Sequence, residues 1–358
     1  MTLATRQRSV GLLVFTLFIV AIWSYALFYP PLNWPDEAYK VAQIGEDKNL
    51  YLRLLNFLGA NECNLSYSLD SDASYGSNSL HINLIYGQEC YYKFKTVNTA
   101  LACTIFLFCL VALRGGEPRM LFMLSLIWPA GIFYVTGINQ QVVFHIVSTA
   151  IVAAVIFSAR TWPYLVASVL LVLLDRSFIA LVVFLGLLLF IRRRPKLAVL
   201  VSIILAVAAI LLRPYVDSLT FILGGEMSIG ELSESLASRS DSWLKSFALF
   251  FVSFVYLGGT SSIFGFGFDY GIVFLALTVL LYQNRGNHQM SVYLGAFLLT
   301  FIIVVSYVPT LQTYRYYVFV MPAILYLTIR RSSHVVGYVS YSGIMLILYL
   351  FQAAFKSV

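Results

Sequence analysis

The adjacent carboxylates Asp36 and Glu37, in "NWPDEAYK" (33–40), are the first residues here whose types and spacing suit chemistry. They follow an apolar run closely in a chain with only 16 Asp and Glu among 358 residues. A carboxylate held at a membrane surface can take a proton from an attacking hydroxyl. Two arginines offer the opposite charge. Arg176, in "LLDRSF", stands beside Asp175 between two short apolar runs, and Arg315, in "QTYRYY", heads another. A guanidinium so placed suits a lipid phosphate, which it can grip through paired hydrogen bonds. "GINQQ" brings Asn139, Gln140 and Gln141 to a third junction, with His145 one helical turn further on. Structural readings stand beside these. The acids suit a helix start after Pro35, Asp175 and Arg176 can neutralise one another, and Arg315 can snorkel to headgroups. The amides can close a hairpin, and His145 reads more readily as a core histidine than as a base.

The elements that must carry these residues are apolar. Hydrophobic residues make up 60% of the chain and charged residues 11%. A soluble domain of this length needs more polar surface, and strand-type alternation for a membrane barrel is absent. The expected fold class is all-α: a polytopic transmembrane helical bundle of about 11 spans, each near the length that a bilayer core requires. They are expected near 10–28, 97–113, 120–137, 141–158, 161–175, 177–191, 197–213, 268–283, 290–307, 316–329 and 335–352. Residues 1–358 then form a single integral membrane domain, with no soluble domain after the last span. Extracytoplasmic loops at 30–96 and 214–243 are expected to carry surface helices. Residues 244–267 are apolar but broken by glycines, and are expected to re-enter the membrane without crossing it. A full crossing there would export Arg285, Arg330 and Arg331, against the positive-inside rule.

The formal charge of +7 does not point to nucleic acid, because its arginines sit in short connectors between apolar runs: Arg114 and Arg119, Arg160, and "RRRPK" (192–196). That pattern puts the N-terminus in the cytoplasm. The run Val10–Phe28 is longer than a signal core and lacks a small-x-small cleavage site, so it is expected to stay as a first helix. With this topology every acidic residue except Glu117 faces outward. Cys103 and Cys109 are expected as small buried apolar residues. Cys63 and Cys90 lie in the first outer loop, where a disulfide is chemically open to them. No cysteine–histidine spacing suggests zinc.

Taken in order, "PDEAYKVA", "YGQECYYKFKTVNTALA", "WPAGIFYVTGINQQ", "LLDRSFIALVVFLGLLLFIRRR" and "YRYYVFVMPAI" resemble the layout of the GT-C superfamily of polyprenyl-phosphate-sugar-dependent glycosyltransferases. That superfamily includes the lipid A aminoarabinose transferase and protein O-mannosyltransferases. The resemblance implies an inverting transfer, on the extracytoplasmic face of the plasma membrane, of a sugar from a polyprenyl-phosphate carrier to a cell-surface glycan or glycolipid. It implies Asp36 as base with Glu37 assisting, Arg176 and Arg315 on the donor phosphate, and Asn139, Gln140, Tyr39 and Tyr314 as substrate contacts. The implied partners are the lipid-linked donor, the acceptor and the bilayer, with no nucleic acid. No cofactor is implied. Some relatives use a divalent cation, but one acidic pair supplies too few ligands to infer it. The chain departs from many relatives in carrying amides at 139–141 where they have an acid. Two alternatives stay open: a polysaccharide polymerase of the Wzy or EpsG type, and a lipid-linked sugar transporter or flippase. The second fits less well, because the charges here lie at helix ends and not near the bilayer midplane.

Overall fold

The long apolar stretches fold as helices in the computed structural model. It describes residues 13, 16–17, 19–20, 57, 66–69, 82–86, 88–127, 142–158, 160–174, 177–194, 196–205, 207–208, 292–297, 299–300, 303, 319–329, 334–340 and 343–344, with backbone alone for 66–69, 82–86, 88–95, 142 and 328. The described part is overwhelmingly helical, which fits the all-α expectation. The chain forms two compact units, Met1–Phe178 with Val318–Val358, and Ile179–Tyr317.

The first unit opens with a feature that was not expected. Within residues 30–96, β1 (Ser66–Leu69) pairs antiparallel with β2 (Ile82–Tyr86), with Leu69 opposite Ile82 and an irregularity between Ser66 and Tyr67. "INLIY" is rich in residues that favour an extended backbone, but five residues in a polar loop are a weak signal. Helix α1 (Gln88–Ala112) begins well before the apolar run expected from 97. "QECYYKFK" contains neither glycine nor proline, so nothing in it stops the helix from starting earlier. Helices α2 (Gly116–Leu126) and α3 (Val142–Phe157) follow, then α4 (Trp162–Leu171). Near the C-terminus lies α6 (Met321–Thr328), reached from the short 3-10 turn at Phe319 and Val320.

Helix α3 is central to this unit: α1, α2 and α6 all pack on it, and α6 also packs on α2. Phe106 of α1 stacks on Phe122 of α2 with ring centroids 5.2 Å apart. Phe144 meets Phe319 at the starts of α3 and α6, and Phe157 meets Tyr326 at 5.4 Å near their ends. The two helices therefore run in the same direction. Tyr338 donates to the Leu124 carbonyl at 3.0 Å and ties residues 334–340 to α2. Between α1 and α2 the chain turns at Gly115, whose φ of 94° is a region that residues with a Cβ avoid. Arg119 Nε donates to the Leu113 carbonyl at 2.8 Å and satisfies one acceptor just past the end of α1.

In the second unit, α5 (Phe178–Arg193, with its first residue counted in the first unit) is followed closely by a helix over 196–205 and 207–208. Residues 292–297 and 299–300 are also helical. Arg192 donates to the Tyr293 hydroxyl at 3.0 Å and lies over its ring, which joins α5 to that segment.

The core of the described residues is mainly apolar, with several polar side chains buried among them. Asn98, Thr99, Ser125, His145, Ser148, Thr149 and Ser168 are buried, as are Ser202 and Thr300 in the second unit. Large apolar residues such as Phe108, Val111, Leu170 and Leu173 lie exposed. Most of the buried hydroxyls solve their hydrogen-bonding problem within their own helix. Ser125 donates to the Leu121 carbonyl (2.7 Å), Thr149 to His145 (2.6 Å), Ser168 to Tyr164 (2.7 Å), Ser202 to Ala198 (2.7 Å) and Thr300 to Ala296 (2.6 Å). A back-bonded hydroxyl needs no water, so it can face another helix at little cost. Among the described residues, no helix is long and apolar enough to cross a membrane. Cys109 is buried, as expected; Cys103 is half-buried, with part of its surface left open.

Candidate site where three helices begin

Three helix-initial segments meet in the first unit. Phe144, in the first turn of α3, packs edge-on against Phe178 with centroids 5.1 Å apart. The same ring lies 6.1 Å from Phe319, also edge-on. All three phenylalanines are buried. Phe178 is the first residue of α5, and Phe319 immediately precedes α6. The amide groups at a helix start are unpaired within the helix and carry partial positive charge. Within the first unit the starts of α3 and α6 meet through Phe144 and Phe319, and a helix start by itself favours an anion.

His145 lies beside this cluster. It is fully buried, and its ring stands 5.5 Å from Phe144 at a tilt of 56°. Its carbonyl accepts from the Thr149 hydroxyl at 2.6 Å and, more weakly, from Ser148 at 3.5 Å. These bonds hold the first turns of α3 to a fixed shape. On α1, which packs on α3, Asn98 and Thr99 are also fully buried. Neither was singled out in the sequence. The signal was there in "TVNTALA", where an amide interrupts an apolar helix, and such a group must face protein in a nonpolar surrounding.

The residues expected to carry chemistry lie outside the described residues: Asp36, Glu37, Tyr39, Asn139, Gln140, Gln141, Asp175, Arg176, Tyr314 and Arg315. So do Cys63, the segment 214–243 and the segment 244–267. Cys90 falls in α1 by its backbone alone. What the structure brings together is the anchor that follows three of these groups in the chain. Gln140 precedes Phe144 in sequence, Arg176 precedes Phe178, and Arg315 precedes Phe319. The segment 30–96 has no such anchor among its described residues, since Phe57 is helical but exposed. No group of residues fit to hold a metal ion occurs among the described residues. Compared with known proteins, the chain matches no family model, no curated protein and no solved structure.

Proposed function

We propose that the chain is a polytopic membrane glycosyltransferase that moves a sugar from a polyprenyl-phosphate carrier to a glycan or glycolipid acceptor on the extracytoplasmic face. The observation that carries this reading is the Phe144–Phe178–Phe319 cluster. Chain reach keeps the Arg176 backbone within about 7 Å of Phe178 and that of Arg315 within about 14 Å of Phe319. Gln140 has the same reach from Phe144 as Arg315 has from Phe319. Two cations and an amide are thus tethered to one buried cluster, at helix ends that already favour an anion. A lipid phosphate is the anion that a membrane supplies. As it departs, the two guanidinium groups stabilise its growing charge. Asp36 takes the proton from the acceptor hydroxyl, and Glu37 assists. The leaving phosphate needs no acid, so one base completes a single inverting displacement.

Membrane residence is supported by the buried hydroxyls and exposed apolar side chains, because this polarity suits lipid and not water. The helices are short for the task. Helices α3 and α5 have 16 residues each, just under the range of about 17–25 that crosses a bilayer. Helix α1 has 25 residues, but its first two turns are polar. Local thinning and arginines at helix ends accommodate such lengths. The parallel course of α3 and α6 supports the re-entrant reading of 244–267. The five crossings expected between them, from 161–175 through 290–307, would start α6 on the side where α3 starts. A sixth crossing would reverse it.

The test is mass spectrometry of surface glycan from cells lacking the gene, complemented with the natural chain or with Asp36→Asn. The expected result is loss of one sugar per acceptor unit, restored by the natural chain alone. Restoration by the variant removes Asp36 as base. A change in chain-length distribution instead of a missing sugar assigns the polymerase reading.

A further inference from the structure

The junction between α5 and the next helix gathers four basic residues within five positions. Arg192, Arg193, Arg194 and Lys196 are all exposed. No Asp or Glu stands among the described residues of this unit. The junction is tightly made: the Arg194 amide donates to the Phe190 carbonyl at 2.7 Å, and the Ala198 amide donates to Arg194 at 3.0 Å. One helix thus ends and the next begins within a few residues, and the four cations are held together. Arg192 is pinned by its bond and ring contact with Tyr293. Arg193 and Arg194 follow at the negative end of the α5 dipole, a favourable place for cations.

The following helix supplies the second half of the surface. Val199, Ile203 and Val207 are exposed four residues apart, with Leu200 and Ile204 beside them. The opposite face buries Ala198 and Ser202. A basic tip therefore continues directly into an uncovered apolar stripe. Soluble anions have no use for the stripe, and apolar partners have no use for the tip. A molecule with a phosphate at one end and acyl chains at the other matches both.

We propose that this junction binds the headgroup of an anionic glycerophospholipid, with its acyl chains along the 199–207 stripe. Arg193, Arg194 and Lys196 hold the phosphate, while Arg192 acts through Tyr293 to fix the junction. The proposal rests on the membrane residence in the reading above and not on glycosyl transfer.

The test uses the purified full chain, delipidated in detergent and titrated with phosphatidylglycerol or phosphatidylcholine, with retained lipid counted by native mass spectrometry. A preference for phosphatidylglycerol of more than about tenfold is expected, since each basic residue near anionic lipid contributes about 1 kcal/mol. In Arg193→Gln/Arg194→Gln/Lys196→Gln it should fall below about threefold, and Lys196→Gln alone should give an intermediate loss that stays readable if the triple variant misfolds. Equal retention of both lipids, or an unchanged preference in the variants, overturns the proposal. Displacement of the lipid by glycerol 3-phosphate at matched ionic strength also overturns it, because the stripe would then be irrelevant. Carbonate extraction of the chain from cell membranes reads membrane residence separately. An extractable chain sinks the wider reading, while an integrated chain without headgroup preference sinks only this one.

Discussion

Helices α3 and α4 are neighbours in the chain and alike in their apolar content, yet they have opposite fates. Most of α3 is buried, including Phe144, Ile146, Val152, Ala153 and Val155. In α4 the single buried residue is Ser168, while Trp162, Val166, Val169 and Leu170 are exposed, Leu170 by 62%. Helix α4 also loosens at its end, where Val172, Leu173 and Leu174 donate to carbonyls three residues back. The two helices share one rule. In each, the polar side chains turn inward: His145, Ser148 and Thr149 in α3, and Ser168 in α4. In α3 the apolar side chains turn inward as well, whereas in α4 they stay exposed, so the polar residues mark the face that each helix turns to protein.

That contrast can be broken or sharpened by substitution. The largest effect is expected at Val152, which is fully buried in α3. Val152→Asp places an unpartnered carboxyl in the core at a cost on the order of 5 kcal/mol, read as loss of monodisperse protein after detergent extraction. A folded Val152→Asp protein would show that α3 is not the interior helix. Next comes Phe144→Ala, which empties the site between three helix starts and should cost about 3–4 kcal/mol in thermal melts. Because the same ring anchors the proposed phosphate site, sugar transfer should fall further than stability alone accounts for. A variant that melts low yet keeps full transfer would separate the cluster from the chemistry.

Val169→Asp sharpens the contrast on the other helix, since Val169 is half-exposed. Facing lipid near mid-helix, the charge should cost about 2.5–3.5 kcal/mol in insertion assays; facing water, it should cost almost nothing. A neutral result here breaks the membrane reading without touching the packing of α3. The smallest effect is expected at Leu173, exposed by 85%. Leu173→Ala should shift stability by less than about 0.5 kcal/mol, as surface substitutions do. A larger loss would mean that α4 packs against something on that side.

Much of the architecture was legible in the residues. The apolar runs at 141–158, 161–175 and 177–191 correspond closely to α3, α4 and α5, because their lengths and flanking breakers are local properties. The boundary of α1 was less legible, since "QECYYKFK" is polar but still helix-forming and apolarity cannot report a helix that outlasts its apolar part. The β1–β2 pair was not legible because pairing needs a partner distant in sequence, and each strand alone is too short to signal. Of the candidate site, the charged residues could be picked out by type. Their shared anchor could not, because phenylalanines at 144, 178 and 319 look like any other phenylalanine in an apolar run.

Composition alone determined that this chain is helical and apolar, and the spacing of its arginines determined the expected orientation of each helix, since both follow from the residues themselves and the medium they suit. Tertiary structure decided which helix is central, that α3 and α6 run in parallel, and that three helix starts share one aromatic cluster. Those facts depend on contacts between residues scores of positions apart. Such contacts arise from shape and packing that no local pattern encodes.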